Sequence, residues 1–222
     1  MASFNPRLQD LPVEFPVFPL TGALLLPRGR LPLNIFEPRY LAMVEDSLGA
    51  GRMFAMIQPD PHAPEGDTGP GLYRIGCLGR MSSFSETDDG RYLITLNGLV
   101  RFNIAAELTM GRGYRRVRGD FTGYAADIDP TLQPIGVERE ALLTALRGYF
   151  AQRNFEANWD AVRRMPDEAL VTTLSMICPF EPAEKQALLE APTDADRGAT
   201  LLALLQMGAA GGPDNPTGRP AS

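Results

Sequence analysis

Residues 89–104 read DGRYLITLNGLVRFNI, and how they are read decides the fold. Asp89-Gly90 and Asn97-Gly98 are both dipeptides that tolerate the positive φ of a tight hairpin turn. Between them Tyr92, Ile94 and Leu96 alternate with Leu93, Thr95 and Asn97, and both sets are largely apolar. This pattern predicts a strand covered on both faces, as in a closed or packed barrel, with a hairpin turn at each Gly dipeptide.

Upstream, FPVFPL (15–20) and LPLNIF (31–36) are further short apolar runs, flanking a loop that contains Pro27, Arg28 and Gly29. Up to about residue 130 such runs are broken by Gly, Pro and Asp, as in a β-rich domain. Beyond it the period becomes helical. Leu142, Leu143, Leu146, Tyr149 and Phe150 fall on one face, as do Leu170, Leu174 and Ile177. Pro182 suits a first helical turn and is followed by Glu184, Leu188 and Leu189. Thr193 is placed to cap a last helix whose first turn carries Asp194 and Asp196. Four helices are therefore expected. The chain is expected to divide into a flexible N-terminus (1–12), a β-rich part (13–130), a helical bundle (131–207) and a disordered tail (208–222), whose GAAGGPDNPTGRPAS lacks apolar residues to offset ordering.

At 222 residues, with 44% hydrophobic and 22% charged residues, the composition is that of an ordinary soluble globular protein. The net charge of −6 opposes nucleic acid and anionic membranes, and no stretch approaches a spanning helix. With no export signal in MASFNPRLQD, the expected location is cytoplasmic, with Cys77 and Cys178 as reduced thiols.

The segment NIFEPRY (34–40) reads as a corner from strand to helix. Ile35 and Phe36 end an extended run, and Pro38 fits the first helical position. Tyr40, Val44 and Leu48 then follow on one stripe. Arg39 is expected to pair with an acid or with exposed carbonyls, or else with Tyr40 to line a groove for a partner.

FPVFPLTGALLLPRGRLPLNIFEPRYLAMVEDSL, YRIGCLGRMSSF, DGRYLITLNGLVRFNI and EKQALLEAPTDADRGATLLALL stand in an order that resembles the amino-terminal substrate-binding domain of Lon proteases, over roughly residues 13 to 207. The resemblance implies an α+β fold, a PUA-like β-barrel subdomain followed by a small α-helical bundle. It also implies a ligand: an unfolded or exposed hydrophobic protein segment, with a protease or its clients as partner.

Motor and protease chemistry are not expected. Lys185 is the only lysine; it follows Glu184 rather than a glycine, so it does not belong to a Walker A loop, and it lies within the resemblance rather than in a Ser–Lys protease pair. The chain therefore reads as a free-standing domain without either activity. His62, the only histidine, stands in the Pro/Gly-rich QPDPHAPEGDTGPG and reads as a solvated loop residue, not a base or metal ligand. Glu86, Asp88 and Asp89 read as a hairpin tip. No cofactor or metal is expected.

Two candidate sites follow. For peptide binding they are Arg39 and Tyr40 with the adaptable Met43, Met53, Phe54 and Met56, whose competing role is core packing. The alternative is RNA: GRGYRRVRG (111–119) sets Arg112, Arg115, Arg116 and Arg118 around Tyr114, residue types that contact phosphates and stack on bases. The same arginines would equally protect an edge strand or pair with the excess acids.

Overall fold

The computed structural model describes residues 6–66, 68–129 and 136–210. Six strands form, β1 (Glu14–Pro19), β2 (Arg30–Ile35), β3 (Met53–Ile57), β4 (Ile75–Glu86), β5 (Tyr92–Gly111) and β6 (Tyr114–Asp120). The helices are α1 (Pro38–Gly49), α2 (Arg139–Gln152), α3 (Trp159–Arg164), α4 (Asp167–Ile177), α5 (Pro182–Glu190) and α6 (Asp194–Ala210). Contacts divide the chain into two compact units, one of residues 1–133 with 175–190, the other of 134–174 with 191–222.

In the first unit, five strands pair in a ring: β1 with β3, β3 with β4, β4 with β5, β5 with β6, and β6 back to β1. The sixth, β2, is added outside the ring, antiparallel to the first part of β5. Only β1 and β3 run parallel, which requires a crossover, and α1 lies in that connection. Register shifts at four places in β4, β5 and β6 bend the sheet, so that the 20-residue β5 serves β2 and β4 with one half and β6 with the other. Phe15, Val17, Ala55, Leu78, Val100, Phe102 and Val117 fill the interior, with the Phe15 and Phe102 rings edge-to-face at 4.9 Å. The mixed α+β class with a β-rich first half is thus as expected, although the ring is an irregular barrel with an appended strand.

The turn at Asp89-Gly90 forms, with Gly90 at φ 76° between β4 and β5. The turn expected at Asn97-Gly98 does not. Those residues continue β5, and the glycine serves a close approach instead: Gly98 N donates to Gly29 O, and Arg28 N donates to Gly98 O, both at 2.9 Å. A Cβ at Gly98 would stand 1.9 Å from the Leu26 carbonyl oxygen. The two-sided cover expected of β5 is also only partly present, since Ile94 and Leu96 are buried while Leu93 is exposed.

The corner at 34–40 is as read. Pro38 opens α1 behind an extended Glu37, whose side chain does not cap the helix but pairs with Arg39. The buried stripe is Tyr40, Met43, Val44 and Ser47, displaced by one position from the Tyr40–Val44–Leu48 line. Within the stretch expected to be a flexible N-terminus, Leu8–Asp10 make a 3-10 turn closed by Arg7 and Asp10, and Leu11 enters the core.

In the second unit α2 packs on α6, through Leu142, Leu146 and Tyr149 on one side and Leu201 and Leu205 on the other. Thr193 caps α6 as read: its Oγ accepts from Asp196 N, and Asp196 accepts from Thr193 N. The final helix runs through Ala210, three residues into the stretch expected to be a tail; residues 1–5 and 211–222 lie outside the described residues. The six-residue α3 adds a helix that the apolar spacing did not show.

The expected boundary near 130 does not hold for α5, which belongs to the first unit. Polar bonds hold it there. Lys185 Nζ donates to Gly22 O at 2.7 Å, Gln186 Nε2 to Ile75 O at 3.2 Å, and Gln58 Nε2 to Pro182 O at 3.0 Å. Helical period identifies the helix but says nothing about which core it covers. Arg101 adds a buried tie, bonding Asp127 through its backbone N and guanidinium and Leu189 O through Nη1. Burial opposes the charge on this guanidinium, yet the Asp127 carboxylate outweighs burial and raises the Arg101 pKa.

Candidate functional site

Two concave surfaces of the first unit concern function. The first is a shallow groove of about 490 Å³ across the β2–β5–β4 end of the sheet, reached by Pro32, Phe84 and Leu93. The register aligns Asn34, Leu93 and Ser85 across the three strands, so their side chains share one face, and Pro32 and Thr95 lie on that face two residues along. Apolar surface is left open here. Phe36, just past β2, is 61% exposed and Leu93 47%, while Phe84, which pairs with the buried Ile94 and packs on the Tyr92 ring, is 41% exposed on the other face. Arg91 lies over the Phe36 ring at 5.8 Å.

The second is a cavity of about 270 Å³ beside the first turn of α1. α1 contributes Arg39 and Tyr40, the β5–β6 hairpin contributes Met110, Tyr114 and Arg115, and prolines from the end of β1 and the loop after β3 complete the walls. The hairpin turns through Arg112 and Gly113, both at positive φ, and a Cβ at Gly113 would touch that of Arg39 at 3.4 Å. Arg39 lies over the Tyr40 ring at 4.6 Å and pairs with Glu37 at 2.8 Å. Tyr114 donates to Asp46 Oδ2 at 2.7 Å. Burial and that bond push its hydroxyl up to about 12, and the same bond holds the Asp46 carboxyl below its ordinary value. Burial raises the Tyr40 hydroxyl against the opposing field of Arg39, while Glu37 adds to the rise and Arg115 opposes it.

The structure therefore brings Arg39 and Tyr40 together with Tyr114 and Arg115, which the sequence placed in competing sites. It removes Met43, Met53, Phe54 and Met56 from any open groove: all four are buried, packing the interior. Their competing role as core residues is the one the structure shows. The arginines of 112–118 are all matched by acids. Arg112 pairs with Glu45 and Asp46, Arg115 with Glu107, and Arg116 and Arg118 with Glu14. Phe36 and Leu93 were missed as site residues, since an apolar residue in a strand gives no local sign of which face is covered.

Other candidates take structural places. His62 is exposed in a turn where its N–H donates to Asp60. Asp89 pairs with Thr87 and Arg91 at the hairpin tip. Cys77 and Cys178 are buried and form no disulfide. Among the described residues there is no His/Cys/Asp/Glu cluster able to hold a metal and no helix long and apolar enough to cross a membrane.

Residues 14–207 match the family described as the ATP-dependent protease La (LON) substrate-binding domain. The chain belongs to this family. A Lon protease of Desulfosudis oleivorans is 29% identical over 98 residues, 44% of this chain and 12% of that protein. Lon protease 1 of Bdellovibrio bacteriovorus is 26% identical over 199 residues, 86% of this chain and 24% of that protein. The chain thus spans less than a quarter of the length of these Lon relatives. Among solved structures, a Lon N-terminal domain protein from Xanthomonas campestris aligns with a TM-score of 0.55 at 22% identity, covering 86% of this chain and 97% of that one. The N-terminal domain of the Mycobacterium avium complex Lon protease aligns at 0.59 and 15% identity, covering 89% and 98%. These likenesses agree with the β-rich first half and following helices of the Lon substrate-binding fold.

Proposed function

We propose that this chain is a non-catalytic protein-binding module that holds exposed apolar segments of unfolded polypeptides, as the family description of a substrate-binding domain suggests. The observation that carries the reading is the apolar surface left open by Leu93 in the β2–β5–β4 groove and by Phe36 just past β2. Large apolar side chains are seldom left clustered on a monomer surface without a partner. Each guest side chain well buried there would contribute about 1.5–3 kcal/mol. The polar rim of Asn34, Ser83, Ser85 and Thr95 offers hydrogen bonds to a guest backbone without selecting its sequence.

Fluorescence anisotropy with a reduced, carboxymethylated client protein tests this. The unfolded client should bind and its native form should not. Leu93→Glu and Phe36→Glu together should weaken binding about tenfold, in the range of a hot-spot loss. Raising salt from about 50 to 200 mM should leave affinity unchanged or stronger, because apolar association is not screened. Binding that Leu93→Glu and Phe36→Glu leave intact would remove the groove from the proposal.

A further inference from the structure

The cavity beside α1 has a lining that its apolar character alone does not explain. Its charged lining side chains are Arg39 and Arg115, and among the described residues no carboxylate lines it. Arg115 is buried, with both Nη atoms engaged by Pro70 O and Glu107, while its Nε is buried and has no acceptor among the described residues. A buried donor left in this way is costly. Arg39 is 52% exposed in its side chain; Glu37 takes its Nε and one Nη, leaving the other Nη available to a ligand. The ring of Tyr40 lies under Arg39. Against these donors stand the apolar walls of Pro19, Pro59, Pro70 and Met110.

We propose that this cavity receives the C-terminal residue of a polypeptide, its carboxylate among Arg39, Arg115 and Tyr40 and its apolar side chain against the prolines and Met110. A carboxylate is the acceptor that matches two guanidinium groups, through charge-assisted bonds. The volume of about 270 Å³ suits one residue rather than a folded surface. A chain terminus carries a carboxylate and an apolar side chain on the same carbon, which aspartate and glutamate cannot do. The site is distinct from the β2–β5–β4 groove and would add selection of chain ends to capture of apolar segments.

Three fluorescein-labelled peptides of glycine and serine test it: one ending in leucine with a free carboxylate, the same peptide as its amide, and an amide whose last residue is glutamate. The free acid should bind at least about tenfold more tightly than either amide. Arg39→Gln, whose lost ion pair is with the exposed Glu37, should remove that preference while keeping the wild-type urea midpoint. Met110→Glu, which places an acid in the lining, should also abolish binding of the free acid. Equal binding of acid and amide, or a glutamate amide that matches the free acid, overturns the inference. The carboxymethylated client separates this result from the groove reading. If the client binds wild type and Arg39→Gln alike while acid and amide do not differ, this inference falls and the groove stands. If the acid preference holds while the client fails to bind, the groove falls instead.

Discussion

Gly98 shows how one residue type can carry two meanings. Asn-Gly flanked by strand residues signals a hairpin, yet here the missing side chain lets the 26–29 backbone bond the middle of β5 on the face where a Cβ would collide with Leu26 O. Gly98→Ala should therefore destabilise the fold by about 2–3 kcal/mol, the cost of forcing a packed backbone apart, read as a lower urea midpoint at unchanged slope. Tyr114 makes a pH-dependent contribution. Its hydroxyl is pushed up to about 12, so the folded state holds that proton more tightly than an unfolded chain, where tyrosine titrates near about 10. The stabilisation is intact below about pH 10 and is lost as pH rises through about 12. Urea midpoints for wild type and Tyr114→Phe should converge over that interval. Lys185 is nearly buried, its ammonium held by Gly22 O and Met176 O and its pKa lowered by burial. An amine-reactive ester should leave it unmodified in native protein and label it in urea, as read by peptide mass spectrometry.

The elements were the most legible level of the chain. The Asp89-Gly90 hairpin, the Pro38 helix start and the Thr193 cap each depend on residues within a few positions of one another, and each formed as read. Errors arose where a longer range decided. Ile177 matches the apolar line of α4 but is exposed, while Val171 and Met176 are buried. α5 reads as one more bundle helix, yet its Lys185 and Gln186 bond carbonyls of the β-rich unit, so it is held by polar side chains as well as by its leucines. A helix of nine residues is too short to stand on propensity, so the surface that receives it decides its membership.

For the whole molecule, charge bears on the choice between partners. The net charge is −6, and each arginine of the 112–118 cluster already faces a carboxylate. A single-stranded RNA titrated at about 50 mM salt, where phosphate contacts are strongest, should therefore show no saturable binding by anisotropy. A saturable isotherm that collapsed with added salt would revive the arginine cluster as a site. The candidate site was half legible. Arg39 and Tyr40 stood out because a charged and an aromatic residue follow a helix-starting proline. Tyr114 and Arg115 stood out as part of a basic cluster. Their meeting in one cavity, and the opening of Phe36 and Leu93 to solvent, could not be read from spacing.

The Lon substrate-binding family entered through the resemblance of whole blocks in order, while the apolar runs, the turn and cap residues and the shift from short runs to helical period were enough to set the β-rich first half and the following helices. These are matters of local backbone preference, which neighbouring residues settle among themselves. Tertiary structure alone decided that Met43, Met53 and Met56 are core, that Asn97-Gly98 is no turn, that α5 joins the strands, and that two arginines line one cavity with no carboxylate among the described residues. Burial and close approach are set by residues distant in the chain, and a pattern of neighbours does not carry that information.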